Sequence, residues 1–418
     1  MKFTINRELL LTPLQQIVNV IEKRQTMPIL ANVLFQLEKN QLTLTGTDLE
    51  VQIVAKLALE NENEGSITVP ARKLLDICRL LPTAAEIKFE LIATKLKIQS
   101  GRSRFMVSTL IADEYPGFEM SAMDCQFVMP SSQLKKALDK TTFCMANQDI
   151  RYYLNGIMLS IFNQQLKLVG SDGHRLSIYE DSILQETGIE LRVIIPRKGV
   201  LELARLLEED QEVQVELSRN NIRVVIDSLI FSAKLVDSKY PDFSKVFVQK
   251  FYSSIHVQKQ LLKEALTRVA ILSNEKFRGV EFVIDGNNLQ ISTNNPEHEE
   301  AEEEISIEYQ GQPLSIAFNS QYILDAISNL DSELAVLTIA ENSSCCFIEE
   351  PSEQKYKFIV IKCPIPAMTL PSGGFTGFTI STKNAGSTSF DTLPIDNSAN
   401  LVAGQGFASN PICWWQEF

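Results

Sequence analysis

Histidine is scarce in this chain: His174, His256 and His298 are the only three, and they fall in a turn, a strand and an acidic run. No nucleophile, base and orienting group can be assembled from local motifs. The HExxH, GxSxG and GxGxxG patterns are missing, as is the Walker phosphate loop. Residues 170–175, GSDGHR, contain glycine but lack the Lys and Ser/Thr that such a loop needs. The seven cysteines show no CxxC spacing, and only Cys345 and Cys346 adjoin, so they read as reduced, mostly buried thiols rather than disulfides or a zinc site. No apolar run approaches a membrane span, and MKFTINRELL lacks the basic-then-apolar order of a signal peptide. The sequence therefore predicts a cytoplasmic protein with no membrane partner, no metal and no cofactor, and it favours a binding or structural role over an enzyme.

What is present is a repeat. Residues 166–176, LKLVGSDGHRL, have two cousins, LTLTGTDL from Leu42 and LQISTNNP from Leu289. Leu42, Leu166 and Leu289 match, as do Asp48, Asp172 and Asn295, at intervals of 124 and 123 residues. Two further patterns keep that register. Phe3, Ile5, Leu10 and Leu14 share their offsets with Phe127, Met129, Leu134 and Leu138, and with Ile255, Val257, Leu262 and Leu266. Each set is a short strand running into an amphipathic helix. A second helix repeats as Val69, Leu75 and Cys78, as Ile195, Leu201 and Ala204, and as Ala317, Ile323 and Ala326. A long-period repeat is a statement about architecture. It predicts an α+β chain of three tandem copies of one domain, each with two helices packed on antiparallel sheets. The expected bounds are 1–122, 125–247 and 253–361. Residues 362–418, rich in Gly, Ser, Thr, Asn and Pro and ending near Trp414 and Trp415, read as a poorly ordered tail.

The net charge of −13 argues against a phosphate-binding partner, but its distribution matters more than its sum. Acid concentrates in runs such as residues 297–304, whereas Lys and Arg collect near the repeated helices: Arg72, Lys73 and Arg79; Lys135, Lys136 and Lys140; Arg197 and Lys198; Lys259, Lys263 and Arg268. One such cluster is an ordinary solvated face. Recurrence in every copy suggests corresponding helices presenting one weakly basic surface. The acidic run resembles a carboxylate metal site, yet a solvated turn feeding an edge strand at ISIEY explains it better. GRSRFMVSTL, residues 101–110, is another candidate edge strand, with Phe105 and Val107 on one face. Gln148, Arg151, Tyr152 and Tyr153 cluster on a loop, where amide, guanidinium and phenols can hold a phosphate backbone and stack on a base; alternatively one Tyr belongs to the core and the others are plain surface.

The segments MKFTINRELL, TGTDLE, VPARKLLDICRLLP, SGRSRF, QDIRYYLNG, DGHRL, IPRKGVLEL, SKYPDF, ILSNEKFRGV and NNPEHEEAEEE together resemble the bacterial DNA polymerase III β subunit, the sliding clamp, from Met1 to about Ile361. The resemblance implies three clamp domains per chain, a head-to-tail homodimer forming a pseudo-sixfold ring, and double-stranded DNA passing through the hole. It places DNA contacts on Arg24, Arg72, Gln148, Tyr152 and Tyr153. It places a partner-peptide cleft on Leu154, Ser171, Gly173, His174, Arg175, Leu176, Pro241, Val246, Asn319, Tyr322, Ile359 and Val360. The implied partners are the DNA polymerase III catalytic subunit, the clamp loader, and other polymerases and repair proteins that carry short peptide motifs. The implied dimer contact joins the strand of Phe105 to the surface around Ile271 and Leu272. The family ends in a short apolar segment, usually Met-Pro followed by Arg and Leu, that completes the cleft; here the chain reads IKCPIPAM and continues to Phe418. Two other readings remain: a nucleic-acid-processing enzyme using the 148–153 loop and the acidic run, and a triple-repeat adaptor that does not bind DNA.

Overall fold

The computed structural model describes residues 1–21, 27–61, 63–119, 122–208, 210–248, 254–340, 344–352 and 355–363. Arg24 and the segment after Cys363, with Trp414 and Trp415, lie outside them. Within the described residues each third of the chain builds two four-stranded antiparallel sheets and two α-helices. The helices are α1 (Arg7–Val20), α2 (Ala71–Leu80), α3 (Ser131–Thr142), α4 (Arg197–Leu206), α5 (Lys259–Val269) and α6 (Ser320–Ser328). Their starts follow from local chemistry. Asn6 accepts a hydrogen bond from the Glu8 N–H at 2.9 Å, and Asn319 accepts from Gln321 N–H at 2.9 Å. Pro70 and Pro196 precede α2 and α4 in extended or near-extended backbone that ends the strand before. None of these helices is long and apolar enough to cross a membrane.

The repeat is visible in the strand registers. Phe3, Phe89, Ile98 and Phe105 stand side by side across one sheet. Phe127, Val215, Val224 and Phe231 form the same row in the second third, and Ile255, Leu337, Ile348 and Phe358 form it in the last. Apart from half-buried Phe105, these residues are buried, and each contributes roughly 1.5–3 kcal/mol by leaving water. The other sheet repeats likewise, with Phe35, Leu44 and Ala55 matched by Leu159, Leu168 and Tyr179, and by Phe282, Ile291 and Glu303.

Sheets from successive thirds fuse. Leu229–Lys234 pairs with Val51–Ala58, setting Phe231 opposite Ile53, and Tyr356–Ile361 pairs with Arg175–Ser182, setting Phe358 opposite Ser177. Each junction makes one eight-stranded sheet. Two four-stranded sheets remain, one bounded by Ser103–Ser108 and the other by Glu300–Ser306. The second strand corrects the sequence reading: it runs through the acidic residues instead of following them. The hairpin register pairs Asn288 with Ser306 and Asn294 with Glu300, which draws the glutamates into the ladder and leaves Glu300, Glu302 and Glu304 exposed. Among the described residues, Cys78, Cys125, Cys144, Cys345, Cys346 and Cys363 are thiols outside any disulfide.

Candidate functional site

The turn between Gln165–Ser171 and Arg175–Ser182 organises one side of the second junction. Asp172 accepts from the His174 and Arg175 N–H groups at 2.9 and 3.0 Å and from Arg175 Nε at 3.0 Å. Ser171 Oγ donates to the Arg175 carbonyl at 2.7 Å and accepts from Gly173 N–H at 3.1 Å. Glycine is required at 173 twice over: its φ is +89°, and a Cβ there would lie 2.9 Å from the Arg151 guanidinium. Arg175 then reaches across the junction to Asp325 on α6 at 2.5 Å and lies 4.6 Å over the Tyr322 ring. The His174 and Tyr322 rings stack at 6.3 Å. Burial, then the Asp172 carboxylate, push the Tyr322 phenol up to about 12, so it stays protonated near neutrality.

Beside this turn, on the face of the fused sheet away from the main core, lies a second apolar cluster. It contains Met158, Val169, Leu176, Ile178, Val246, Phe347 and Ile359, with Tyr240 and Phe243 packed against it. Of the residues expected in the cleft, Leu176, Val246 and Ile359 share this cluster, while Ser171, Gly173, His174, Arg175 and Tyr322 form the adjoining polar wall. Pro241 is half-buried in the segment that brings Tyr240 and Phe243 across. Asn319 caps α6 and donates to the Phe277 carbonyl at 3.1 Å, which ties exposed Phe277 to the same rim. Sequence reasoning missed Phe277; its place just before a strand gave no signal. Leu154 is buried, and Val360 lies on the opposite face of its strand, in the main core. The end of the described chain stays close: Ile361 N–H donates to the His174 carbonyl at 2.9 Å and Cys363 N–H to Ala317 at 2.8 Å. Burial raises the Cys144 thiol well above its ordinary value, so it is inert. The Tyr240 hydroxyl is buried beside the Ser171 backbone and makes no full hydrogen bond among the described residues.

The 148–153 loop divides its residues between two faces. Tyr152 is 76% exposed, Tyr153 is part of a short 3₁₀ turn, and Gln148 takes φ +58°. Arg151 does not point outward as a loop cation would. Its guanidinium bonds Asp149 at 2.8 Å and the Asp172 carbonyl at 3.1 Å, beneath the turn described above. An arginine beside an acceptor two residues away and a buried carbonyl satisfies them before it meets solvent. Arg72, in the first third, donates to the Ile21 carbonyl at 2.9 Å. On α3 and at Lys198 the basic side chains are neutralised by carboxylates. Lys135 pairs with Asp139 at 3.1 Å, Lys136 and Lys140 with Asp331 at 3.1 and 2.6 Å, and Lys198 with Asp48.

A triplicated unit whose sheets fuse end to end has the architecture of a sliding clamp. Family models for the N-terminal, central and C-terminal domains of the DNA polymerase III beta subunit match residues 1–120, 128–242 and 244–364. The chain is 43% identical over 363 residues to a beta sliding clamp of Pseudomonas putida, a match covering 86% of this chain and 99% of the relative. It is 42% identical over 363 residues to that of Escherichia coli K12, with the same coverage. Crystal structures of the Pseudomonas aeruginosa sliding clamp, one of them bound to griselimycin, superpose with a TM-score of 0.85 at 42% identity, covering 87% of this chain and all of theirs. The chain belongs to the DNA polymerase III beta subunit family.

Proposed function

We propose that two copies of this chain close head to tail into a six-unit ring around duplex DNA, and that the ring tethers the replicative polymerase to its template. The observation that carries this reading is the equivalence of strand edges. Phe105 holds the place in its row that Phe231 and Phe358 hold in theirs, and Ala301 corresponds to Ile53 and Ser177. Closure in the same register sets Phe105 opposite Ala301 of the partner subunit and Arg104 opposite the partner's Glu302. Ile271 stands nine residues after Leu262, as Phe143 stands nine after Leu134. Phe143 meets Phe358 edge to face at 5.1 Å, so Ile271, 76% exposed in the single chain, meets the equivalent Phe105 of the partner subunit, with Leu272 beside it.

A ring retains DNA by enclosure, so weak phosphate contacts suffice, and paired lysines leave little friction. Arg24, Arg72, Gln148, Tyr152 and Tyr153 supply those contacts. The turn at 171–176 with Leu154, Pro241, Val246, Asn319, Tyr322 and Ile359 forms the cleft for short peptides of the polymerase catalytic subunit, the clamp loader, and other polymerases and repair proteins, with Val360 on the core side of the same strand. The chain works in the cytoplasm and performs no chemistry of its own. Its units span 1–122, 125–247 and 253–361, and 362–418 is an atypical C-terminal tail. Loading onto nicked circular DNA tests the reading. The protein stays bound through a high-salt wash and leaves when the circle is linearised; retention on the linear form, or none on the circle, contradicts it.

A further inference from the structure

Two strand steps from the cleft, on the same face of the fused sheet, is a hollow of about 210 Å³ whose lining includes Lys167, Ile178, Glu180, Phe247, Lys355 and Lys357. It is continuous with the cleft. Ile178 belongs to the apolar cluster that holds Leu176 and Ile359, and Phe247 directly follows Val246 of that cluster. Strand registers give the order of rows. Leu176 pairs with Ile359, then Ile178 with Lys357, and Lys167 with Glu180 beyond them. At about 3.3 Å per residue these charged rows lie roughly 7 and 13 Å from the apolar one, within two to four residues of an extended peptide.

The hollow has an apolar floor and a rim of three ammonium groups against one carboxylate. Lys167 holds Glu180 at 2.5 Å and lies 5.2 Å over the Phe243 ring. Lys357 pairs with Glu349 at 2.9 Å, and Lys355 with Asp181 at 3.0 Å. Neither Glu349 nor Asp181 lines the hollow, and Asp181 also accepts from the Tyr179 hydroxyl at 3.0 Å and the Ser182 N–H at 2.9 Å. The partly exposed pairs of Lys167 and Lys357 contribute little, so those two lysines exchange partners readily, whereas Lys355 is anchored on the nearly buried Asp181 at the edge of the hollow.

We propose that this hollow is a second subsite of the peptide cleft, and that it takes an acidic flank next to the apolar part of a partner's docking peptide. The proposal rests on the cleft reading above. Partners with such a flank then bind more tightly than partners with the same apolar residues and a neutral flank, and their advantage falls with salt because it is Coulombic.

The test uses the full chain and labelled peptides in fluorescence anisotropy: a hexapeptide bearing Leu and Phe, and versions extended at either end by four Asp/Glu or by four Ser. One acidic extension is expected to tighten binding three- to tenfold over its Ser counterpart at low salt. That gain disappears in 0.5 M NaCl and in the K355E/K357E variant, while the unextended peptide binds the variant as it binds the parent. Equal affinity of acidic and Ser extensions, or a gain that survives the charge reversal, overturns the subsite. Failure of the unextended peptide to bind overturns the cleft itself, and the subsite with it.

Discussion

The two internal junctions and the two open edges use the same strands of the repeat but different surfaces. At the junctions, buried rows meet: Phe231 and Phe358 are at most 1% exposed, and Lys140–Asp331 and Arg175–Asp325 clasp opposite ends of the second junction on its helix-bearing face. At the open ends the equivalent strands are Ser103–Ser108, with Arg104, and Glu300–Ser306, with its glutamates. A junction within one chain forms once and can rely on burial. An edge that must stay soluble before it finds its partner needs charge, because a bare apolar edge aggregates. Opposite charge on the two edges gives both protection and selectivity. In the proposed ring these two charged edges form the seam between chains.

The sharpest contrast places one substitution at two equivalent positions. F231A, inside a junction, should cost about 3–5 kcal/mol of stability by leaving a cavity, read as a lowered denaturation midpoint with the dimer retained in what remains folded. F105A, at the open edge, should instead weaken dimerisation at least tenfold in sedimentation while the single chain melts almost unchanged. Equal effects at both sites would erase the distinction between junction and edge.

Charge reversal probes the seam more gently. R104E should raise the dimer dissociation constant about tenfold at low salt, and combining it with E302R should restore much of the loss. Rescue that fails at every salt concentration would contradict the register. The internal clasp responds to pH. Burial works against the Asp331 carboxylate, but Lys140 and Lys136 outweigh it and hold its pKa below the ordinary value. The folded value is lowered, so this contribution is whole above about pH 4, the unfolded value, and is lost as pH falls through the folded one. D331N should accordingly be less stable at pH 7 and should converge on the parent in acid; a constant gap across the titration would refute the assignment. The smallest effect concerns Tyr240. Its buried hydroxyl makes no full hydrogen bond among the described residues, so Y240F should leave stability unchanged or raise it by up to about 1 kcal/mol.

The triplication was legible because strand and helix spacings are local and three copies kept one register. Leu42, Leu166 and Leu289 do stand at equivalent places in their sheets. Fusion of sheets across the thirds was not legible, since pairing between Phe231 and Ile53 spans residues whose periodicity says nothing about each other. The same limit hid Arg151. A cation in a polar loop looks free until the Asp172 carbonyl, far along the chain, is seen beneath it. Lys136 and Lys140 of α3 looked like part of a basic face, yet their partner Asp331 arrives from the last third. For the acidic run the charges pointed to solvent, whereas the hairpin with Asn288–Asn294 decided that it is a strand. In the cleft, the resemblance supplied residues, and strand alternation separated Ile359 from Val360.

In the proposed ring, two chains meet edge to edge around DNA in the register of the internal junctions. Ser103 then faces the partner's Glu303, at a Cα separation of about 4.5–5.5 Å that suits a disulfide. The decisive measurement is mild oxidation of a variant carrying S103C and E303C in the presence of circular DNA. A covalent dimer locked on the circle is expected, one that survives denaturing salt and is released by cutting the DNA or by reductant. A cross-link that does not form, or a cross-linked dimer that washes off intact circles, would contradict it.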